Sequence, residues 1–206
     1  MVLSITERYR KNSSAYGLKK RLWIYTGGLD EPNPYTTIKR EKAEAFLKGE
    51  AMNKKGLLFD FNGTMFFDSE KHKEAWDVFS QKYRGCPISD YELDHTHGKT
   101  NKKIIELLLG DMRDEESEKL SKAKEALYRE CCINDPKMFH LVDGLEDVLD
   151  NLKELQIPMT ICSASIKDNI DFFISSFHLD RWFDIDKIIY GDGTHVDKIS
   201  MFHEGA

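Results

Sequence analysis

Residues 56–61 read Gly-Leu-Leu-Phe-Asp-Phe, a short and almost wholly apolar run with one carboxylate, Asp60, close to its end. A run this short, without alternation, fits a strand buried on both faces. Such strands belong to parallel sheets covered by helices on each side. That stretch sets the expectation of an α/β fold, and the rest of the chain has to supply the helices and further buried strands.

The sequence after it does so. His72, Ala75, Trp76, Phe79 and Tyr83 recur at three- and four-residue steps, one stripe of an amphipathic helix. Gly85, Pro87 and the polar residues to Asp94 break it. Residues 101–109 predict a second helix, and residues 115–132 a third with Leu120, Ala123, Leu127 and Cys131 on one face, before Asp135-Pro136 punctuates. The pattern then changes. Residues 144–155 predict a helix with Leu145, Val148, Leu149, Leu152 and Leu155 inward, and 159–162 a strand. Ser165 is placed to cap a helix whose stripe is Ile170, Phe173, Ile174 and Phe177, and residues 187–190 predict a last strand. The order is that of a parallel sheet interrupted by a helical insertion over residues 67–140, with the sheet-bearing core in 52–66 and 141–206.

Composition narrows the function classes. A chain of 206 residues with 40% hydrophobic and 11% aromatic residues can build a core. A formal net charge of −6 disfavours a nucleic-acid binder that relies on a broad basic field. No apolar stretch of about eighteen residues predicts a membrane span, and the start MVLSITERYRKN lacks the apolar centre of a secretory leader. Cys86, Cys131, Cys132 and Cys162 form no Cys-x-x-Cys pair and suggest neither a zinc site nor a disulfide framework. The expectation is reduced thiols in a cytoplasmic protein.

Charge also divides the chain. Residues 1–51 carry ten Lys/Arg against six Asp/Glu, a balance of +4, and residues 52–206 carry twenty against thirty, a balance of −10. The first 51 residues read as an extension of unknown role, with an apolar run Leu22-Trp23-Ile24-Tyr25, the breaker-rich TGGLDEPNPY and a helical pattern in IKREKAEAFLKGE.

In an open α/β sheet the reactive groups sit beyond the carboxyl ends of the strands. Read that way, the chain presents Asp60, Ser163 and a loop carrying Lys198. A carboxylate, a hydroxyl and an ammonium together suit phosphoryl transfer. The first attacks phosphorus or holds Mg²⁺, the second donates to a phosphoryl oxygen, and the third neutralises charge. Gly63 lets the backbone approach an anion closely and Thr64 adds a donor. Each has a structural alternative: a turn carboxylate at 60, an Asx-turn residue at 62, a turn hydroxyl at 64, a helix-approach hydroxyl at 163, a solvated lysine at 198.

The strings around these residues resemble a known family. LLFDFNGTMFFDSEKH resembles the first motif of the haloacid dehalogenase-like hydrolases, MTICSAS their second, and YGDGTHVDKISMF the region of their third. The nearest likeness is to β-phosphoglucomutase-like phosphatases with a helical cap, and it covers about residues 52–205. The resemblance implies a Rossmann-like core with Asp60 as nucleophile and Mg²⁺ ligand, and Asn62 as a ligand through its carbonyl. Ser163 and Lys198 would hold the transferred group. Gly63, Thr64, Ala164 and, in the cap, His97, Lys99 and Asn101 would contact substrate. For the cap residues a polar helix start is the competing reading.

Two departures stand out. The family places an acid at the position of Asn62, and an amide cannot shuttle a proton at neutral pH. Positioned acid–base help is worth roughly 10²–10⁴-fold, so good leaving groups would suffer least. The family's fourth motif, an acidic pair after another strand, has no counterpart in the eight residues that follow Lys198. The expectation is an incomplete sheet with an unpaired edge and a thin metal site. RLWIYTGGLDE crudely echoes a strand–glycine–acid motif, but the favoured reading of residues 1–51 is an extension unrelated to the core.

The function expected is Mg²⁺-dependent hydrolysis of a small phosphorylated metabolite through an aspartyl-phosphate, with no nucleic-acid or membrane partner. The alternatives are a weak or inactive member that binds phosphate or a partner, and, ranked last, a sugar-phosphate mutase.

Overall fold

A computed structural model describes the strands at residues 2–5, 22–25 and 35–37, and the continuous stretches 56–96 and 99–191. Lys198, His97 and the helical pattern before residue 51 lie outside the described residues. The described chain divides into two compact units: Asp68–Phe139, and the residues on either side of it in sequence. Among the described residues no helix is long and apolar enough to cross a membrane.

The first unit is built on a mixed sheet. Its strands are β1 (Val2–Ile5), β2 (Leu22–Tyr25), β3 (Tyr35–Thr37), β4 (Leu57–Phe59) and β5 (Met159–Ile161), in the order β3-β2-β1-β4-β5. All three side chains of β4 are buried, as a strand covered on both faces requires. It pairs in parallel with β5 in the register Leu57↔Met159, Leu58↔Thr160 and Phe59↔Ile161. On its other side β1 runs parallel to it, with Val2 opposite Leu58 and Leu3 opposite Phe59. This corrects the reading of residues 1–51 as unrelated to the core, because the edge expected to lie open is paired by β1. β1 and β2 are antiparallel, as are β2 and β3. The carboxyl end of β2 thus lies at the sheet end from which β4 enters, opposite the end carrying Asp60, and the strand–glycine–acid echo loses its topological basis.

The strand expected over 187–190 shrinks to a single parallel bridge, Ile189 opposite Cys162. Asp184 accepts a hydrogen bond from the Asp186 amide and winds Ile185–Lys187 into a 3₁₀ turn, which takes the first residue of that strand.

In the second unit, Ser69–Arg84 forms α1, Asp90–Asp94 α2, Asn101–Leu109 α3 and Asp114–Ile133 α4. Trp76, Phe79, Ile104, Ile105 and Leu108 make its apolar core. α2 was not expected. Its signal is a capping box: the Glu92 amide donates to Ser89 Oγ and the Ser89 amide to the Glu92 carboxylate. α4 buries Ser117, Lys124, Glu125, Tyr128, Cys131 and Cys132, a stripe rotated from the apolar one because two charged residues lie inside.

The chain returns to the first unit with α5 (Leu145–Glu154) and α6 (Lys167–Phe177). Leu145, Leu149 and Leu152 are buried, but Val148 and Leu155, expected inward, are 39% and 54% exposed. A helix face against one side of a sheet is narrower than a five-residue stripe. Phe173 of α6 stacks on Phe61 with ring centroids 4.5 Å apart, and Phe66 meets Phe173 edge-on at 5.9 Å and Phe177 at 5.5 Å. These rings fasten the segment after β4 to α6.

Two outcomes follow. Phe173→Ala should destabilise the first unit by about 3–5 kcal/mol in chemical denaturation; a loss below 1 kcal/mol would show the ring cluster to be peripheral. Cys131, Cys132 and Cys162 are buried and Cys86 is exposed, while burial pushes the Cys131 thiol up and holds Cys132 at about 12. A thiol reagent at pH 8 should therefore find one fast-reacting cysteine, and Cys86→Ser should remove that phase.

Candidate active site

Parallel pairing brings three chain segments to one end of the sheet. The Cys162 amide donates to Phe59 O at 2.8 Å and the Ser163 amide to Ile189 O at 2.9 Å, aligning the ends of β4, β5 and the Ile189 bridge. Asp60 follows β4 directly and retains 8% exposure, so approach to it is narrow. Beyond it the chain winds into a tight turn. Phe61 O accepts from the amides of Thr64 and Met65 at 3.1 and 2.8 Å, and the Gly63 amide donates to Phe66 O at 2.8 Å. Gly63 sits at φ 71°, a left-handed conformation that suits a residue without Cβ.

Asn62 projects from this turn to the loop after β5. Its Oδ1 accepts from Ser163 Oγ at 3.1 Å and from Ser165 Oγ at 2.7 Å, and Ser163 Oγ in turn accepts from the Ser165 amide at 3.1 Å. The structure thus brings together Asp60, Asn62 and Ser163 from motifs about a hundred residues apart in sequence. Ala164 is exposed at the crest of the loop. Ser165 does not cap α6. The N-cap is Ile166, without a side-chain cap bond, because the Ser165 hydroxyl is turned to Asn62.

Other expected residues have structural engagements. The Gly63 and Thr64 amides are held by the turn. The Thr64 hydroxyl is buried and meets no hydrogen-bond partner among the described residues. In the helical unit Lys99 is exposed, and Asn101 Nδ2 donates to Glu125 Oε1 at 2.7 Å. Asn101 belongs to a buried polar cluster. Lys124 Nζ donates to the same Glu125 oxygen and to His72 Nδ1, each at 2.9 Å, and Tyr128 OH donates to Asp68 Oδ2 at 2.7 Å. Burial pushes the Lys124 ammonium down against the pull of Glu125, and burial pushes the Tyr128 phenol up, reinforced by Asp68.

Gly191 escaped the sequence reading although it lies in the quoted string YGDGTHVDK. Its amide donates to Ser165 O at 2.8 Å, and a Cβ built there would lie 2.5 Å from Ala164 O. The close packing of these two backbones is what places Ser163 and Ser165 against Asn62. Glycine before a strand-end loop was the available signal.

For a divalent cation the described residues offer the Asp60 carboxylate and the main-chain carbonyl of Asn62, and no group of three His, Cys, Asp or Glu side chains among them could enclose a metal. Mg²⁺ is commonly held by one or two carboxylates, with waters and substrate phosphate completing its shell. This donor set meets the lower end of that requirement.

Fold and site define a Rossmann-like α/β protein with a helical unit inserted between β4 and β5. The family model for haloacid dehalogenase-like hydrolases matches residues 57–200, and the chain belongs to that family. Among solved structures, a HAD hydrolase of family IA, variant 3, from Entamoeba histolytica HM-1:IMSS is 39% identical with a TM-score of 0.65, over 69% of this chain and 64% of its own. β-Phosphoglucomutase from Clostridium difficile matches at 20% identity and TM-score 0.54, covering 73% of this chain and 70% of its own. CbbY from Rhodobacter sphaeroides, solved in complex with phosphate, matches at 19% and 0.54, covering 68% and 64%. The latter two show a shared fold. The chain spans less than two thirds of the length of the Entamoeba structure. No curated protein matches the sequence significantly.

Gly191→Ala should force residues 164–165 away and loosen both hydroxyls from Asn62, at a cost of about 1–3 kcal/mol for overpacking. Thermal unfolding and the side-chain amide resonances of Asn62 read the effect; both unchanged would contradict the packing described.

Proposed function

We propose that the chain is a Mg²⁺-dependent phosphohydrolase of the haloacid dehalogenase-like type, acting on a small phosphorylated metabolite with Asp60 as nucleophile. The observation that carries this reading is the placement of Asp60 and Ser163 on adjacent parallel strands at one sheet end, joined through Asn62. Membership of a hydrolase family supports the reaction class, and the phosphate-bound structure of a protein with the same fold supports the ligand class.

In this reading an Asp60 carboxylate oxygen attacks phosphorus in line with the ester oxygen, which departs, and water then cleaves the aspartyl-phosphate. The Ser163 hydroxyl proton, held by the Asn62 amide oxygen, turns to a phosphoryl oxygen when substrate enters. Lys198 neutralises charge on the transferred group, and Lys99 and Asn101 serve the helical unit's choice of substrate together with His97. Asp60 and the Asn62 carbonyl would hold Mg²⁺, which supplies positive charge to the phosphoryl oxygens when bound. A cytoplasmic setting is part of this reading and suits the four free cysteines.

A second reading rests on one observation, the amide at position 62. It favours a slow or non-turning member that binds phosphate or a partner. A sugar-phosphate mutase is disfavoured further, because it must add and remove sugar hydroxyl protons at that position.

Phosphate release from a panel of esters in the presence of Mg²⁺ tests the proposal. Asp60→Asn should reduce release to background and abolish beryllofluoride binding, which mimics the phosphoaspartate. Turnover that survives Asp60→Asn would remove the proposed mechanism.

A further inference from the structure

Among the described residues, the side chains brought to this sheet end beside Asp60 are unequal to the two halves of a phosphatase cycle. Along residues 60–66, 162–166 and 189–191, the segments that converge at this sheet end, Asp60 is the only carboxylate and there is no histidine. The remaining polar side chains are the Asn62 amide, hydroxyls at Thr64, Ser163 and Ser165, and the Tyr190 phenol.

The amide is also fixed in orientation. Ser163 Oγ accepts from the Ser165 amide, so its own proton goes to Asn62 Oδ1, and Ser165 Oγ donates to that same oxygen. With its oxygen clamped by two hydroxyls, the Asn62 side chain has only its NH₂ group left to offer, a donor that neither accepts nor releases a proton at neutral pH.

We infer that this site forms a phosphoaspartate faster than it discharges it, and takes the phosphoryl group from donors whose leaving oxygen departs unprotonated: aryl, enol and acyl phosphates. The inference rests on Asp60 being the nucleophile proposed above. In the first half-reaction a bond forms between an Asp60 oxygen and phosphorus while the phosphorus–leaving-group bond breaks. The electron pair stays on the departing oxygen. Asn62 steadies that oxygen with a hydrogen bond but hands it no proton, so the rate follows the leaving group's own stability as an anion. In the second half a water oxygen bonds to phosphorus, the bond to Asp60 breaks, and its electron pair returns to the carboxylate. The water protons pass to solvent or to the released phosphate, without a base at position 62. That deficit is common to every donor. A good leaving group makes the first half fast and leaves the second limiting, and the phosphoenzyme accumulates. Ser165 is a positioning residue, acting through its hold on the Asn62 amide.

The test is stopped-flow mixing of the full chain and Mg²⁺ with p-nitrophenyl phosphate. A burst of nitrophenolate approaching one equivalent per chain is expected, then a slow steady state, with acid-quenched protein carrying hydroxylamine-labile phosphate. Across a series of aryl phosphates with good leaving groups, kcat should be constant while kcat/KM falls as the leaving group becomes more basic. Alkyl phosphates should lie at least ~10²-fold lower in kcat/KM. Asn62→Asp should erase the burst, raise kcat and bring the alkyl esters up. Ser165→Ala should slow the burst several-fold, most for the poorer aryl leaving groups, and Ser165→Thr should restore it; a merely structural role would slow all donors alike. Equal kcat/KM for alkyl and aryl esters without a burst, in a chain whose turnover is lost on Asp60→Asn, would overturn this inference and leave the nucleophile standing. No reaction with any ester and no beryllofluoride binding would overturn both.

Discussion

The parallel pairing of β4 with β5 is the constraint on which the first unit's site depends. It brings Asp60 and Ser163 to the same sheet end although about a hundred residues separate them in sequence. It requires β4 to be covered on both faces, since a strand of three large apolar residues has no solvent side to offer. Phe183 meets Phe59 of this strand edge-on at 5.6 Å, and the phenylalanines at 61 and 66 beyond its end pack on 173 and 177 of α6. The rings at 61 and 66 flank the turn that carries Asn62, so their packing on α6 helps to hold that turn in place.

The helical unit obeys a different balance. Its core of Trp76, Phe79, Ile104, Ile105 and Leu108 is conventional, but beside it lie Lys124, Glu125, Asp68 and Tyr128, all buried. Buried charges are tolerated when each finds a partner. Here Glu125 serves both Lys124 and Asn101, His72 stacks on Tyr128 with 4.1 Å between ring centroids, and the Lys124 ammonium lies 5.1 Å from the centre of the Trp76 ring. The first turn of α3 is thereby tied to α4 through a carboxylate, which fixes the stretch around residue 101 inside the unit rather than leaving it a loose loop.

Much of this was legible in the sequence, and the misses have physical causes. The α/β class followed from residues 56–61 read together with the helical stripes and the second buried run at 159–162. The bounds of α3 were plain because Thr100 caps its start and Gly110 its end. The stripe of α4 was legible in part, since Cys131 is buried and Leu120 and Leu127 pack against the core, but periodicity ranks Lys124 and Glu125 as surface, and their bonds to each other, Asn101 and His72 bring them inside. Ser165 looked like a helix cap and Gly191 like an ordinary loop glycine. Both act through residues distant in sequence; a glycine at a strand-end loop hints at a close approach but does not name its partner. The short strand beside Cys162 gave way to the Asp184 turn, a side-chain bond competing with a ladder. β1 was missed because its partner β4 lies more than fifty residues away in sequence, and a four-residue run carries no local sign of that pairing.

The contact between Gly191 and Ala164 gives the site a mechanical input of its own. The serine loop is seated against the segment that leaves the 3₁₀ turn at 185–187, so lifting that segment by even an ångström would relax the grip on the carboxamide.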